Sequence, residues 1–433
     1  MITGKHWDLT TAAAATALVL VALSAASAAE IGPGSTVDKT NVQLVKDVIP
    51  PGVAWCVGNG MTMEIVPYKE IPAPRLYAEA TEKYASQVTL ADDNMVKNWV
   101  AGKPFPDVDP NDPQAAIKIM YNFERTHYYS ESLDMHLADA DTGSLYTDSK
   151  GNRHYTVERH FVPEWLRLMR YEGRLYNDPK PLLLPNNDET FYKAGLYPLI
   201  EPFDLKGVGG VSFRYQDQAR HDDTWLYLPF TRRVRRMSTA QRSDALFGQD
   251  IDVDSFGGYA GQIPWFEWRL LGHKPMYMSL HGERLPPEPC KGDGGMTFCE
   301  KWEMRPDVYI VEGVSKSPNY AYSKRIIFID KETNIIGVSD LYDQGGELWK
   351  TVMLSFRAST RPNPDVEFEY DETRMFAYAY SVIDMQLMHG TRVAIPGLAF
   401  QDEAGWYIDL GFDVATAADE SWFSIPGLIN AGR

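Results

Sequence analysis

A histidine followed by two carboxylates is the arrangement in this sequence that comes nearest to catalytic chemistry. His221 precedes Asp222 and Asp223 in the stretch RHDDT, and a histidine oriented by a carboxylate can act as a general base. Neighbouring strand residues face opposite sides, however, and the stretch is typical of a hairpin turn. We therefore favour a turn. An enzyme acting on an exported lipid or steroid-like substrate would require His221 and Asp223 to converge in a pocket.

Common enzyme motifs are absent from the sequence. It has no GxSxG nucleophile elbow, no phosphate-binding P-loop, no HExxH zinc motif and no dinucleotide fingerprint. The run GVGG at 207–210 is more typical of a turn. His127 and His136 are nine residues apart and His154 and His160 are six apart, whereas ligands on one helix face are about four apart. We expect no enzymatic activity, no cofactor and no metal site.

Three cysteines offer redox chemistry. Cys290 and Cys299 flank the turn-rich stretch KGDGGMTF, and in an oxidising compartment we expect them to form a disulfide. A bond closing so small a loop contributes about 2–3 kcal/mol. Cys56 is left over and is expected to be a buried free thiol. A metal site is the alternative, but neither a CxxC pair nor a histidine cluster favours it.

The stretch DTWLYLPFTRRVRRM places dense positive charge directly after an aromatic strand, in a chain with a formal net charge of −17. Trp225 and Tyr227 face one side of that strand and Phe230 the other, so both sides are apolar. One side would meet the core, and the other would meet a second layer or a cavity for an apolar ligand. Four arginines follow: Arg232, Arg233, Arg235 and Arg236. They would bind an anionic headgroup or an acidic partner surface, or else form a solvated strand end paired with carboxylates.

A second stretch, FGGYAGQIPWFEWRLLGHKPMYMSL, combines aromatic residues, methionines and glycines. Such segments adapt to irregular apolar shapes. Burial in the core would also explain any single residue here. Taken with the aromatic strand, the stretch predicts the wall of an apolar cavity. The predicted ligand-binding residues are Trp225, Tyr227, Phe230, Tyr259, Trp265, Phe266, Trp268, Met276, Met278 and Trp349.

The first 29 residues predict a secretory signal. Lys5 precedes an apolar run over 9–26 that ends in small residues, which is typical of export with cleavage near Ala28 or Ala29. The run is alanine-rich and short for a membrane span. The mature chain would lie in the periplasm, where acidic charge favours solubility. The sequence contains neither a basic domain nor an RNA-binding motif, so we expect no nucleic-acid partner.

These residues must be positioned by secondary structure, and the sequence predicts helices in the first part of the chain and strands in the later part. Prolines predict extended or irregular structure over 30–74, and helical spacing predicts helices over 76–100 and 115–128. Past about residue 140, short runs rich in Val, Ile, Tyr and Phe alternate with turns such as DKETN and DQGGE, which predicts an antiparallel meander in a barrel or a sandwich. The strand runs are RHYTVERHFV, GVSFRYQD, DTWLYLPF, DVYIVEGVS, SKRIIFID, NIIGVSDLYD, LWKTVMLSF, EFEYD and MFAYAYSV.

Two motifs in these strands resemble those of the outer-membrane lipoprotein-sorting (LolA/LolB-like) superfamily. The residues that carry them are Pro229, Arg232, Arg233 and Val234, then Asp330, Lys331, Tyr342, Asp343, Gly346 and Lys350. More closely, YASQVTLADDNMVKNWVAGKPFP and FGGYAGQIPWFEWRLLG are similar to the family catalogued as domain of unknown function 1329. This resemblance covers most of the mature chain. The segment 52–70, which contains Cys56, departs from the family pattern.

The resemblance implies a mostly β fold with helices, in which an incomplete antiparallel β-barrel wraps around helices and encloses an apolar cavity. It would form a single domain over 30–433, with an extended N-terminal segment and a C-terminal extension. The resemblance also implies a periplasmic carrier of lipid-like molecules that works with an RND-type (MMPL-like) exporter and an outer-membrane protein. The leading hypothesis is therefore a non-enzymatic binding or transfer protein. The alternatives are an envelope scaffold whose aromatic face binds a protein, and the enzyme described above.

Overall fold

The computed structural model describes residues 31–126, 128, 130–183, 189–238, 242–410 and 419–433. The predicted signal peptide, 1–29, lies outside the described residues. The helices are α1 (Pro51–Gly58), α2 (Arg75–Tyr84), α3 (Ala115–Thr126) and α4 (Ile425–Ala431). The strands are β1 (Thr36–Val37), β2 (Met63–Val66), β3 (Thr89–Leu90), β4 (Val96–Lys97), β5 (Ser132–His136), β6 (Asp139–Thr147), β7 (Arg153–Pro163), β8 (Trp165–Arg170), β9 (Thr190–Leu196), β10 (Leu199–Glu201), β11 (Gly209–Tyr215), β12 (Asp223–Leu228), β13 (Arg233–Arg236), β14 (Phe266–Met278), β15 (Lys301–Ser315), β16 (Lys324–Asp330), β17 (Ile336–Tyr342), β18 (Leu348–Ser359), β19 (Arg374–Asp384), β20 (His389–Ala394) and β21 (Trp406–Ile408).

The larger of two main sheets has twelve strands in the order β1-β2-β15-β16-β17-β18-β19-β20-β6-β7-β10, with β14 also paired to β15. Its centre, β15 to β20, is an antiparallel meander, which the sequence predicted from β15 to β18. The turns predicted there are confirmed. Asp330 accepts a hydrogen bond from the backbone N of Thr333 (2.9 Å), and Asp343 accepts one from that of Glu347 (2.9 Å). Such local bonds fix the hairpins and hence the strand register.

The second main sheet has seven strands in the order β13-β12-β11-β9-β8-β5-β21, and β3 and β4 form a separate hairpin. Strand β2 runs parallel to β15, a pairing that the sequence did not suggest. The predicted class, mostly β with helices, is confirmed. The wrapping of an incomplete barrel around helices stays a prediction.

The irregular structure expected over 30–74 is wrong at 51–58, where the chain forms the helix α1. Pro51 begins this helix instead of breaking it, because a proline in the first turn lacks only an N–H that would have no helical partner. The backbone N of Gly52 donates to Oδ2 of the buried Asp340 on β17 (3.0 Å). Burial raises the pKa of Asp340 to about 6. This contact attaches the start of α1 to the larger sheet.

The helix predicted over 76–100 is wrong beyond Tyr84, where α2 ends. The hairpin of β3 and β4 follows, closed by a hydrogen bond from the backbone N of Ala91 to the O of Met95 (2.9 Å). Asn94 adopts a left-handed backbone there, with φ of 64°, and asparagine tolerates that conformation well. The turn at Asn94 therefore determines the conformation of this segment, although the spacing of its apolar residues is helical. The helix predicted over 115–128 is confirmed over 115–126 as α3.

The strand predicted at EFEYD is also wrong. Residues 367–371 lie outside the strands of the described chain. The backbone N of Tyr370 donates to the O of Thr360 (2.8 Å), and the hydroxyl of Tyr370 accepts a hydrogen bond from the backbone N of Ile408 (2.6 Å). These contacts hold the loop between β18 and β19 in place. The strand predicted at MFAYAYSV is confirmed within β19.

The main apolar core lies between α1 and the larger sheet, and a second apolar cluster lies beneath α3. Cys56 of α1 is a buried free thiol in the main core, as expected, and burial raises its pKa. The predicted disulfide is confirmed, with the Cα atoms of Cys290 and Cys299 4.9 Å apart. Across the described part of the chain, every helix is too short or too polar to cross a membrane.

Candidate functional site

A groove of about 660 Å³ lies between α2, the segment 103–107 and α3. Its volume falls within the range of small-molecule sites, about 300–1,000 Å³. Most of its wall is apolar and consists of Ala73, Tyr77, Ala78, Ala85, Pro104, Phe105 and Pro106. The polar lining consists of Thr81, Glu82, Ser86, Lys103, Asp107 and Lys118. The lining residues of α2 recur three and four apart and so share one helix face, where the small side chains of Ala78 and Thr81 leave space.

The segment that forms the opposite wall is held in place from both sides. On α2, Oγ1 of Thr81 accepts a hydrogen bond from the backbone N of Lys103 (2.8 Å). On α3, the side chain of Asn122 bonds to both the backbone N (2.9 Å) and the O (2.7 Å) of Phe105. Gly102 has a φ of +75°, and a Cβ there would lie 2.5 Å from the N of Thr81. Only glycine fits this approach without displacing the wall.

Lys103 is a cation in this groove that forms no direct ion pair in the described chain. Its side chain is half-buried, and burial lowers the pKa of its ammonium group, although the charges of Asp330 and Asp107 act in the opposite direction. Among the described residues its Nζ has no ion pair or hydrogen bond, whereas Lys118 pairs with Asp112 and lies 5.8 Å from the ring centroid of Phe105. A half-buried charge without a partner is unfavourable. A negative group on a ligand would supply the missing partner.

The residues predicted to line an apolar cavity do not come together in one site. Four of them form an aromatic group beneath α3: Tyr259, Trp265, Phe266 and Trp268. The ring of Tyr259 meets those of Phe266 (5.3 Å) and Trp268 (5.1 Å) edge-on. Phe105 of the groove wall packs against this same cluster. The aromatic group therefore supports the groove from behind and does not line it.

Trp225 and Tyr227 lie in a different place, on the smaller sheet. Tyr227 is buried against Leu428 of α4, and Trp225 packs on the same small cluster. The side of β12 that carries Trp225 and Tyr227 therefore meets a small apolar cluster that includes α4. Phe230 is 69% exposed in the turn after β12.

Met276, Met278 and Trp349 belong to the main core. Both methionines are buried there, and Trp349 is partly buried against the same cluster. Nε1 of Trp349 donates to Oδ2 of Asp384 (2.8 Å). Packing accounts for the positions of these residues, and a role for them in ligand binding stays a prediction.

The predicted docking arginines lie on a turn and on the edge strand β13. Arg236 forms an ion pair with Asp223. The other three are exposed and form no ion pair with any residue that the structure describes: Arg232, Arg233 and Arg235. Pairing with neighbouring carboxylates, the alternative interpretation, therefore holds for Arg236 alone.

His221 and Asp223 do not converge in a pocket. His221 is exposed between β11 and β12, with its ring centroid 4.5 Å from that of Trp265. The carboxylate of Asp223 accepts a hydrogen bond from the hydroxyl of Tyr215 (2.6 Å) and pairs with Arg236. The geometry required for the catalytic pair is therefore not formed.

Asp222 instead belongs to a buried ionic network that the sequence did not reveal. Its carboxylate lies 2.8 Å from Nη2 of Arg214 and 3.0 Å from Nη1 of Arg242, and Nε2 of Gln262 donates to it (3.1 Å). Nε of Arg242 also reaches Asp254 (2.6 Å). Burial alone would raise the pKa of Asp222, but the charges of Arg214 and Arg242 hold it below its usual range. The network ties the segment 242–262 to the smaller sheet.

Among the described residues, one group of side chains has the spacing of metal ligands. Asp139, Asp141 and His160 place their ligand atoms within 4.8 Å of one another. Nδ1 of His160 is 3.1 Å from Asp139 and 3.0 Å from Asp141, and Nη2 of Arg392 is 2.8 Å from Asp141. Ion pairs within the group account for this arrangement.

Sequence reasoning missed the groove, although a signal was present. The stretch YASQVTLADDNMVKNWVAGKPFP, which carried the family resemblance, includes Ala85, Ser86 and the wall 103–106. Because most of this stretch was interpreted as one helix, we did not predict that the chain returns to α2 at Lys103. A lysine between a glycine and a proline-rich turn was the usable signal.

The family described as "Protein of unknown function (DUF1329)" matches residues 36–397. An uncharacterized protein of Pseudomonas aeruginosa is 24% identical over 332 residues, which cover 73% of this chain and 68% of that protein. Among solved structures, a domain from Vibrio parahaemolyticus named for outer membrane lipoprotein sorting is 15% identical with a TM-score of 0.46, over 73% of this chain and 99% of that one. A DUF1329 family protein from Desulfovibrio piger is 15% identical with a TM-score of 0.44, over 72% and 96%. The matched range includes both walls of the groove and the segment 52–70.

Proposed function

This chain is a member of the DUF1329 family, and on that premise we propose that it is an exported, non-enzymatic carrier of an anionic, lipid-like molecule. The acyl part of the ligand lies in the groove between α2 and α3, and its negative group lies at Lys103. One observation carries the proposal: an apolar wall stands beside a half-buried ammonium group that forms no direct ion pair in the described chain.

The apolar wall supplies affinity without selecting one chain length. Each methylene that leaves water for such a wall contributes about 0.8 kcal/mol. The wall is fixed beforehand by Thr81 and Asn122, so binding has little ordering of the protein to offset. These properties suit a carrier of acyl chains.

The lysine supplies selectivity for a charged end. A carboxylate or phosphate at Lys103 would form a charge-assisted hydrogen bond in a partly desolvated place, where such bonds are strong. The neighbouring Lys118 is already neutralised by Asp112. We therefore assign the contact with the negative group to Lys103.

The cellular setting of the proposal comes from the resemblance. The carrier would work in the periplasm, with its helices held in an incomplete barrel, and would exchange ligand with an RND-type (MMPL-like) exporter and an outer-membrane protein. Release requires a partner that opens the groove or offers a better site, because a ligand leaves only when a competing state is favoured. Co-purification of the tagged mature protein with such a transporter would test this part separately.

The test of ligand binding uses a fluorescent fatty acid and the alcohol of the same chain length. Ala78 is exposed on the groove face of α2, so Ala78→Trp fills the groove and should abolish binding of both probes. Ala431→Trp, at an exposed alanine of α4, is the matched control and should bind both. Organic extraction of the mature protein followed by mass spectrometry should recover an anionic lipid.

Two results would count against the carrier. Equal binding by Ala78→Trp and wild type would show that the ligand lies elsewhere. An extract without lipid, together with no probe binding by wild type, would favour the scaffold hypothesis and a protein partner.

A further inference from the structure

Two phenylalanine side chains project from adjacent loops at one end of the smaller sheet. Phe203 is 91% exposed and Phe230 is 69% exposed. No other phenylalanine in the described part of the chain is among the exposed large hydrophobic residues. Single exposed apolar residues are ordinary on protein surfaces, so the argument depends on what surrounds this pair.

The strand register places the two loops side by side. Gly209 on β11 pairs with Tyr227 on β12, so the residues before Gly209 lie across from those after Tyr227. A Cβ on Gly207 would lie 3.4 Å from Cγ of Pro229. The segment 203–206 and the turn 229–232, together with Arg233 at the start of β13, therefore form one projection, which we name the tip.

The tip is also positively charged, in a chain with a formal net charge of −17. It carries Lys206, Arg232 and Arg233, and Arg235 follows on β13; all four are exposed and without an ion pair among the described residues. Of the nearby acids, Asp204 is taken up by Nη2 of Arg159 (2.6 Å). The charge of the tip is therefore opposite to that of the chain as a whole.

Aromatic rings flanked by unpaired basic side chains match the interface of a membrane, where rings enter the boundary of the acyl region and cations meet anionic headgroups. A protein partner would need a broader apolar patch with hydrogen-bonding groups at its rim. We propose that the tip docks this protein on the surface of an anionic lipid bilayer, with Phe203 and Phe230 entering the interface. The docking is independent of the groove and of its proposed ligand.

Vesicle sedimentation tests the tip with the mature protein. Vesicles of phosphatidylglycerol and phosphatidylcholine should bind it in a salt-dependent manner, and vesicles of phosphatidylcholine alone should bind it far less. Phe203→Ser with Phe230→Ser should weaken binding about tenfold or more for each ring. Leu44→Ser with Leu387→Ser is the matched control, because these side chains are 58% and 72% exposed away from the tip.

The charge is tested separately. Arg232→Asn, Arg233→Ser and Arg235→Ser together should weaken binding by roughly a hundredfold and reduce its salt dependence. Asparagine is chosen at Arg232 because its φ is 52°. Lys39→Ser, Lys46→Ser and Lys291→Ser, all at exposed positions, should leave most of the binding. Ala78→Trp should still bind vesicles, which separates docking from loading of the groove.

Three outcomes would overturn the proposal. They are equal binding to neutral and anionic vesicles, binding unaffected by the loss of both rings, and no vesicle binding by wild type. In the last case the tip would be a surface for a protein. Circular dichroism and melting temperature confirm that each variant is folded, and exposed positions of this kind seldom change stability by more than about 0.5 kcal/mol.

Discussion

Replacing Lys103 by methionine separates the two forces proposed to act in the groove. Methionine keeps an unbranched side chain of similar length and removes the charge. The ammonium group of Lys103 is half-buried and unpaired in the described chain, while the apolar wall beside it is formed by other residues. We therefore expect Lys103→Met to lose affinity for an anionic ligand and to keep affinity for a neutral one.

The size of the loss follows from the bond that is removed. A hydrogen bond to a charged group contributes about 1.5–3 kcal/mol, which corresponds to a weakening of about tenfold to a hundredfold for the fatty acid. The alcohol of the same chain length should bind Lys103→Met and wild type alike. Because burial lowers the pKa of Lys103, wild-type affinity for the fatty acid should fall as pH rises through that lowered pKa, while affinity for the alcohol stays level.

The same substitution predicts an effect on the empty protein. A lysine whose folded-state pKa is lowered binds its proton less tightly in the folded than in the unfolded chain, so its charge opposes folding at pH values below both pKa values. Lys103→Met should therefore melt at the same temperature as wild type or higher. Titration of both probes and thermal melts near neutral pH, with Lys46→Met as the exposed control, measure these effects. A loss of affinity no greater than that of Lys46→Met, or equal losses for acid and alcohol, would refute the role given to Lys103.

Three further predictions concern the scaffold. Gly102→Ala should lower the free energy of unfolding by more than Gly151→Ala. Both glycines have positive φ (+75° and +83°), but only a Cβ at residue 102 meets backbone, 2.5 Å from the N of Thr81. Urea unfolding compares the two variants, and equal losses would contradict the close approach. Asp222→Ala should cost about 3–5 kcal/mol, since it leaves the buried Arg214 and Arg242 without their shared carboxylate, whereas Asp92→Ala, at an exposed position, should cost little in the same assay. The hydrogen bond to Asp250 raises the pKa of His389. The contribution of this contact to stability is therefore complete below about pH 6.5 and is lost as pH rises through the raised pKa. His389→Gln should remove that part of the pH dependence of stability, and an unchanged pH profile would show that the Asp250 contact contributes nothing.

The sequence by itself determined the structures that depend on neighbouring residues. The meander from β15 to β18 was predicted in place, because its Val- and Ile-rich runs are separated by turns whose aspartates bond to backbone N–H groups two to four residues away. The disulfide followed from two cysteines nine residues apart. The helix α3 followed from its apolar spacing. In each case the interactions that decide the conformation lie within one short window of sequence.

Where residues meet across long separations, the sequence predicted their types but not their neighbours. It marked Asp222 as a chemically interesting carboxylate, but only the fold placed Arg242 and Gln262 against it. It marked the aromatic residues as a set, but only the fold divided them among α3, α4 and the main core.

The groove itself was decided by tertiary structure alone. Thr81, Lys103 and Asn122 come from three segments, and their hydrogen bonds are what place the wall opposite α2. The state of Lys103 depends on the same packing, because its burial and its lack of a direct ion pair among the described residues are properties of its surroundings. A single sequence fixes which side chains are available, whereas the free energy of packing distant segments decides which of them share a site.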